Sequence, residues 1–321
     1  MRYAEVVADA WGMDVTTADP QPNAPLNAPQ GRSFQSVERR SPRARSGLYA
    51  SLFPPLVWMS ALYFVPLLIL MSYSVWRLEA FDIVKEFTLQ NFQAIATNPS
   101  YRTIIARTVG TALGVTVIDV AIALPVGFFI AKRAGRYRSL LTLMVILPLW
   151  SSYLVRVFAW KIILGYNGVL NSALIWAGIL SEPSQVFLYN QFSTMLTFVH
   201  VWLPFMILPV ITAFEKLPDS LLEASVDLNA PPITTFRRIV LPLVMPGVLA
   251  GSINVFSLTM GDFITPSLVG SPSGIMLGNV ISSQFGVAYN WPLGAAFALV
   301  VMLIVFSGLA IALRRGALEN L

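Results

Sequence analysis

Ionisable side chains inside long apolar segments are the first candidates for chemistry in this sequence. Asp119 lies near the middle of one such segment, and Arg156 and Asp262 lie toward the ends of two others. Such groups are costly in apolar surroundings, and they usually face the interior of a helix bundle or a cavity. One hypothesis is that Asp119 or Asp262 helps an organic cation along a pathway. The aromatic residues that would offer cation–π faces there are Trp150, Tyr153 and Trp160.

A structural interpretation competes with this one. Arg156 would pair with one of the two aspartates and tie two helices together, and neither aspartate would then meet a substrate. The single histidine, His200, is expected to be an interior residue that makes a hydrogen bond. The residues alone leave both interpretations open.

Several other kinds of site are excluded or disfavoured by the composition. The chain has no cysteine, which excludes disulfides, thiol catalysis and cysteine metal sites. One histidine leaves no histidine cluster for a metal, and no grouped nucleophile or acid–base pair supports a membrane enzyme. We therefore expect no catalytic residue, no metal site and no cofactor bound by this chain. The net charge is +5, and most of the charged residues flank apolar segments. This pattern is typical of membrane topology rather than of nucleic-acid binding.

The elements that must position these residues are membrane-spanning helices. The chain is 56% hydrophobic and 12% charged, whereas soluble domains are roughly 45–50% apolar and about 25% charged. A spanning helix needs about 20 mostly apolar residues. The fold class predicted is an all-α integral membrane protein with about six transmembrane helices. They are placed near 49–73, 106–131, 139–160, 192–214, 239–261 and 293–313.

The distribution of basic residues predicts the orientation. With a cytoplasmic N-terminus, most of the 21 Lys and Arg residues fall on inner segments, including a dense group at 132–138. Because six spans return the chain to its starting side, both termini are expected in the cytoplasm. Residues 1–47 are rich in Pro, Asn and Ala and are expected to be a disordered cytoplasmic tail. Residues 48–321 are expected to form the transmembrane domain.

The segment 219–240, between the fourth and fifth predicted spans, has its own local signals. Ser220 and Glu223 have the spacing of a capping box, which predicts a short helix. Asn229 lies just past its end, where a left-handed residue is often needed. Pro231-Pro232 suits the first turn of a second helix. The sequence therefore predicts a helix–turn–helix elbow at the cytoplasmic face, with a lipid-bound amphipathic helix as the alternative.

This elbow resembles the signature of binding-protein-dependent ABC importer permeases. The signature is Glu-Ala-Ala, three residues, Gly, nine residues, Ile, one residue and Leu-Pro. Two positions depart from it, since Ser stands for the second Ala and Asn for the Gly. The matching residues are Glu223, Ala224, Ser225, Asn229, Ile239, Leu241 and Pro242.

The resemblance implies that the elbow is a coupling helix that docks on a cytosolic ABC ATPase dimer. Glu223 would contact the ATPase, and Ala224 and Ser225 would allow its close approach. The chain has no phosphate-binding Gly-x-x-x-x-Gly-Lys motif, so ATP and Mg would be used by the partner. Further partners implied are a second permease, a distinct sister chain, an external solute-binding protein and membrane lipid. The location implied is the bacterial cytoplasmic (inner) membrane.

Other stretches resemble the polyamine (spermidine/putrescine) branch of these permeases. They are 150–160, 168–171, 200–206, 261–266 and 290–292. The resemblance implies transport of a small organic solute, a polyamine, with an opine or an aminophosphonate as alternative substrates. The competing hypothesis is a secondary transporter driven by an ion gradient, which would need no nucleotide-binding partner.

Overall fold

The computed structural model describes residues 42–318, which are mostly helical. A small antiparallel hairpin, β1 (Arg77–Glu79) with β2 (Asp82–Val84), departs from the all-α expectation. The helices are α1 (Pro42–Ser74), α2 (Gln90–Thr97), α3 (Pro99–Phe128), α4 (Arg138–Ile146), α5 (Tyr153–Leu164), α6 (Val169–Trp176), α7 (Gln191–Glu215), α8 (Asp219–Asp227), α9 (Pro232–Thr235), α10 (Leu241–Gly261), α11 (Ile264–Val269), α12 (Leu277–Phe285) and α13 (Trp291–Leu318).

The prediction of about six spans is confirmed. Within the described residues, five helical segments are long and apolar enough to cross a membrane, and a bent pair makes a sixth. The second span begins at Pro99, several residues before its predicted start. The reason is a cap, since the Asn98 side chain accepts a hydrogen bond from the Ser100 amide at 2.9 Å and proline suits the first turn.

The third span is not the continuous helix predicted for 139–160. After α4, a 3₁₀ turn runs from Leu147 to Trp150, and α5 leaves at 92°. Between the arms, Ser151 is extended, and Ser152 is also non-helical, with φ of −57° and ψ of 136°. Pro148 has no amide to continue the helical bonding. The break therefore lies at the serines, and Arg156 is an ordinary residue of α5.

The predicted tail 1–47 lies outside the described residues up to position 41. Residues 42–47 belong to α1 rather than to a disordered segment. The chain divides after Ser60 into two units. The part of α1 in the first unit has exposed Phe53 and Trp58. The part of α1 in the second unit has exposed Leu62 and Phe64. The remaining description concerns the second unit.

The centre of this unit is α7, which packs between α3 and α10. Phe198, Met206 and Phe214 of α7 are fully buried. Helix α10 approaches closely at two glycines. A Cβ at Gly247 would lie 2.5 Å from the Ala213 Cβ and 2.6 Å from the Pro209 carbonyl oxygen. Such close approach of backbones is the main source of helix–helix packing energy in membranes.

We expect Gly247→Val to destabilise the helix bundle by about 1–3 kcal/mol, because the added methyl groups meet backbone and not a movable side chain. Thermal unfolding of the detergent-solubilised chain measures this. Gly110→Ala on α3 is the control, since a Cβ there meets nothing within 4 Å. Equal melting temperatures for the two variants would contradict the close α7–α10 approach.

Candidate functional site

The elbow, residues 219–240, contains the predicted short helix α8 and a tight turn. Helix α8 ends in a Schellman motif. The Ala230 amide donates to the Ser225 carbonyl at 3.0 Å, and the Asn229 amide donates to the Val226 carbonyl at 2.8 Å. Asn229 has φ of 50°, so the prediction of a left-handed residue at this position is confirmed.

The predicted capping box is wrong. The residue before the first helical turn is Pro218, and no side chain caps the helix. Asp219 is instead the first helical residue, and its carboxylate binds the Lys132 ammonium at 2.7 Å. A carboxylate in the first turn is also favoured by the helix dipole.

The second half of the elbow leads directly into α10. Pro232 lies in the first turn of α9, as predicted, and a π-helical turn, Phe236–Val240, follows. Pro242 comes just after this turn. A proline ring clashes with the carbonyl four residues earlier in a regular helix, and a wider turn relieves that clash. Ile239, Leu241 and Pro242 are half-buried, so they shape the joint rather than an exposed contact surface.

Of two ion pairs at this end of the bundle, one attaches the elbow to the segment after α3 and the other joins α4 to α7. Lys132, just after α3, donates to the Leu217 carbonyl at 2.5 Å as well as to Asp219. Arg138, at the start of α4, pairs with Glu215 at the end of α7. The basic segment 132–138 and the elbow therefore lie at the same end of the helix bundle.

The residues of the signature point in different directions. Glu223 and Ala224 are exposed on the outer face of α8, where Leu228 is also 81% exposed. Ser225 is only 4% exposed, and its hydroxyl donates to the Leu222 carbonyl at 2.7 Å. The expectation that Ser225 allows close approach of a partner is therefore corrected, because this side chain packs inward.

A polar cluster of Tyr153, Asp262 and Thr265 lies at the far end of α10 from the elbow. The Tyr153 hydroxyl donates to Asp262. The same carboxylate accepts the Thr265 hydroxyl at 3.0 Å and the amides of Ile264 and Thr265 at 2.8 and 3.2 Å. Asp262 is thus the cap of α11 and ties it to α5. The Tyr153 ring stacks on Trp202 of α7 with centroids 5.3 Å apart.

The expected pairing of Arg156 with an aspartate is wrong. Its guanidinium donates to the Val201 carbonyl of α7 at 3.1 Å, and in the described part of the chain it forms no ion pair with Asp119 or Asp262. Trp160 packs edge-on against His200 at 5.4 Å. His200 is exposed rather than interior.

The remaining two pathway candidates stand apart from this cluster. Trp150, on the other arm of the bend, is 78% exposed. Asp119 is fully buried on α3, and neither carboxylate oxygen has a hydrogen-bond partner in the described residues. Val115 and Ala123, one turn to either side, belong to the core with Phe198 of α7. In this conformation Asp119 therefore faces the helix core.

Two residues of the cluster were missed from the sequence. Trp202, which stacks on Tyr153, lies in the stretch 200–206 that resembles the polyamine branch, but it was not singled out as a candidate. Thr265 could have been found, because Asp262 and Thr265 have the spacing of a helix N-cap and its third residue.

Comparison with known families decides what this bundle is. Residues 123–316 match the family described as binding-protein-dependent transport system inner membrane component. The chain belongs to this family of permeases.

The permease is similar to several curated proteins over most of its length. It is 41% identical to the inner membrane ABC transporter permease protein YdcU of Escherichia coli, over 86% of this chain and 91% of that protein. It is 33% identical to the spermidine/putrescine transport system permease protein PotB of Escherichia coli, over 82% and 95% of the two chains. The spermidine/putrescine permease PotB of Haemophilus influenzae is 38% identical over 66% of this chain and 73% of that protein.

Solved structures share the fold of the permease. A chain of the bacterial alginate ABC transporter, solved with an alginate pentasaccharide-bound periplasmic protein, gives a TM-score of 0.69 at 15% identity over 84% of this chain and 93% of its own length. The inward-facing MetNI methionine ABC transporter gives a TM-score of 0.51 at 17% identity. The match covers 70% of this chain and 99% of the MetNI chain. Its family and relatives show that the permease is a multi-pass inner-membrane transport subunit, a class that implies no ATPase site of its own.

We expect Tyr153→Phe to lower the stability of the permease by about 1–3 kcal/mol, because a buried bond to Asp262 is lost while the stack on Trp202 remains. The measurement is a double-mutant cycle of thermal unfolding with Asp262→Ala. Tyr153→Phe should have little effect in the Asp262→Ala background. Tyr166→Phe, at a half-exposed tyrosine after α5, is the matched control; an equal effect from it would argue against the cluster.

Proposed function

We propose that this permease imports a polyamine, using ATP hydrolysed by a partner subunit. The observation that carries the proposal is the pair of relatives named as spermidine/putrescine permeases, at 33% and 38% identity. The family disfavours the alternative of a carrier driven by an ion gradient. None of the relatives described above is named for an opine or an aminophosphonate, so these remain the weaker substrate candidates.

The proposed orientation places the elbow and both termini in the cytoplasm. The basic residues Lys132, Arg133, Arg136 and Arg138 lie at the elbow end of the bundle. There Lys132 pairs with Asp219 of the elbow, and Arg138 pairs with Glu215 at the end of α7. The π-helical turn of the elbow adds Arg237 and Arg238. Cytoplasmic segments of membrane proteins carry an excess of basic residues near the helix ends, which supports this orientation.

The outer face of α8 is the proposed contact with a cytosolic ABC ATPase dimer, which would use ATP and Mg. Glu223 and Ala224 are exposed there beside the apolar Leu228. An acidic side chain next to small and apolar ones suits a protein contact with a basic rim. The other two signature residues act within the elbow. Ser225 packs inward, and Asn229 forms the left-handed turn. Movement of the elbow would reach the transmembrane core through Lys132 and α7.

The other proposed partners are a sister permease, an external solute-binding protein and membrane lipid. Helix α1 presents exposed apolar side chains after Ser60, among them Leu62, Phe64 and Leu68. Such a surface must be covered by lipid or by another membrane helix. The alginate transporter neighbour was solved with a periplasmic protein, which is the precedent for the external partner.

The proposed substrate pathway passes the aromatic side chains near the bend. Tyr153 and Trp160 are half-buried on α5, and Trp150 is exposed on the other side of the bend. Aromatic faces attract ammonium groups. Asp262 is already engaged by four donors in this conformation. A polyamine would meet the aromatic faces first, and it would reach Asp262 only by displacing the Tyr153 or Thr265 hydroxyl.

The function is tested by uptake into proteoliposomes that hold the permease with its co-encoded partners, with and without internal ATP. The panel is putrescine, spermidine, an opine and an aminophosphonate. We expect ATP-dependent uptake of a polyamine above the other compounds. Uptake that follows an imposed ion gradient without ATP would contradict the importer, and preference for the opine or the aminophosphonate would contradict the substrate alone.

We expect Glu223→Ala to lower ATP-driven uptake about tenfold, within the range of a coupling free energy of about 1–3 kcal/mol. The bundle should remain inserted and equally stable, because Glu223 is exposed. Glu182→Ala, an exposed carboxylate in the loop before α7, is the control for the charge change. If both variants transport like the wild type, α8 is not the coupling element.

A further inference from the structure

A cavity of about 510 Å³ lies between the end of α3 and the elbow. This volume falls within the roughly 300–1,000 Å³ that is usual for ligand sites. Its walls are mostly apolar and come from Leu124 and Phe128 of α3, Leu222 of α8, and Phe236 and Val240 of the π-helical turn. One wall is thus a membrane-spanning helix and the other is the elbow.

Arg133 is the only charged residue among those that line the cavity. Its side chain is exposed, and within residues 42–318 it has no acidic partner. The neighbouring Lys132, in contrast, is bound to Asp219. Arg237 and Arg238, both exposed, lie on the turn between the lining residues Phe236 and Val240. An apolar cavity therefore opens beside uncompensated positive charge.

We propose that this cavity binds an anionic phospholipid, with an acyl chain between α3 and the elbow and the phosphate on Arg133. The proposal takes the cytoplasmic position of the elbow from the proposed function. Three observations select this occupant: the apolar lining suits hydrocarbon, the free arginine suits a phosphate, and the site lies at the membrane boundary, where anionic headgroups gather near basic residues. A free anion would leave the apolar walls uncovered, and a zwitterionic lipid would bring its own cation to a site where Arg133, Arg237 and Arg238 already supply positive charge.

A lipid in this position would contact both walls of the cavity. Leu222 and Phe236 belong to the elbow, and Leu124 and Phe128 belong to α3, so the bound chain fills space between the proposed coupling element and the core. Its binding would favour one position of the elbow over another, since a ligand shifts an equilibrium by its differential affinity for the two states. Anionic lipid should therefore raise ATP-driven uptake.

Native mass spectrometry of the full-length chain in mild detergent tests binding, with phosphatidylglycerol and phosphatidylcholine added in equal amounts. We expect retained phosphatidylglycerol to exceed phosphatidylcholine. Arg133→Gln should weaken this preference about fivefold, the factor that corresponds to about 1 kcal/mol for one arginine near anionic lipid. Leu124→Trp, which fills the cavity, should reduce retention of both lipids. Arg136→Gln is the matched control, because Arg136 lies in the same basic segment but binds the Tyr137 hydroxyl.

Equal loss of preference in Arg133→Gln and Arg136→Gln would overturn the proposal, since it indicates general attraction of headgroups to the basic segment. Unchanged retention in Leu124→Trp, or equal retention of the two lipids by the wild type, would also overturn it. The assay requires no ATP and no partner. The two proposals can therefore fail separately. If lipid retention follows the expected pattern but the wild-type permease shows no ATP-driven uptake, the proposed function fails while the lipid site stands.

Discussion

The close approach of α7 to α10 is the constraint on which the rest of the described bundle depends. Gly247 and Gly251 bring α10 against Pro209 and Met206, and α3 packs on another side of α7 through Gly127. In a membrane no hydrophobic effect draws helices together, so this interlocking of small residues with backbone supplies most of the cohesion. The positions of both functional regions follow from it, because each is attached to an end of α10.

Two breaks in regular helical backbone lie where the chain changes direction or meets a proline. The bend at Ser151 and Ser152 separates two helical arms at 92°, and the π-helical turn Phe236–Val240 precedes Pro242. Backbone amides and carbonyls cannot remain unpaired in hydrocarbon. At the bend, the Ser151 hydroxyl donates to the Pro148 carbonyl at 2.7 Å, so this carbonyl is hydrogen-bonded. Proline thus sets the location of a bend, and neighbouring polar groups make it tolerable.

Sequence reasoning succeeded where one physical rule acts locally and failed where tertiary contacts decide. Hydropathy located the spans, and the left-handed tolerance of asparagine located the turn at Asn229. Charge pairing was the weak point. One interpretation paired Arg156 with an aspartate, but its guanidinium donates to a carbonyl of α7, and Asp262 accepts bonds from hydroxyls and amides. The outcome for Arg156 could not be read from spacing, because it depends on which helices become neighbours. The bonds from Ile264 and Thr265 to Asp262 are local, and their spacing is that of a helix cap.

Asp119 shows why the functional interpretation of such residues needs more than one conformation. A buried carboxyl without partners costs about 1–3 kcal/mol or more, and replacement by an apolar side chain would remove that cost. A partner that approached Asp119 in another conformation would also remove that cost, because the carboxylate would then be hydrogen-bonded. Asp119 lies on the face of α3 that packs against α7, and Lys132, just after the end of α3, binds Asp219 of the elbow. A displacement of the elbow that moved α3 along α7 would change the surroundings of Asp119, so the predicted role of this carboxyl in the substrate pathway depends on the position of the elbow.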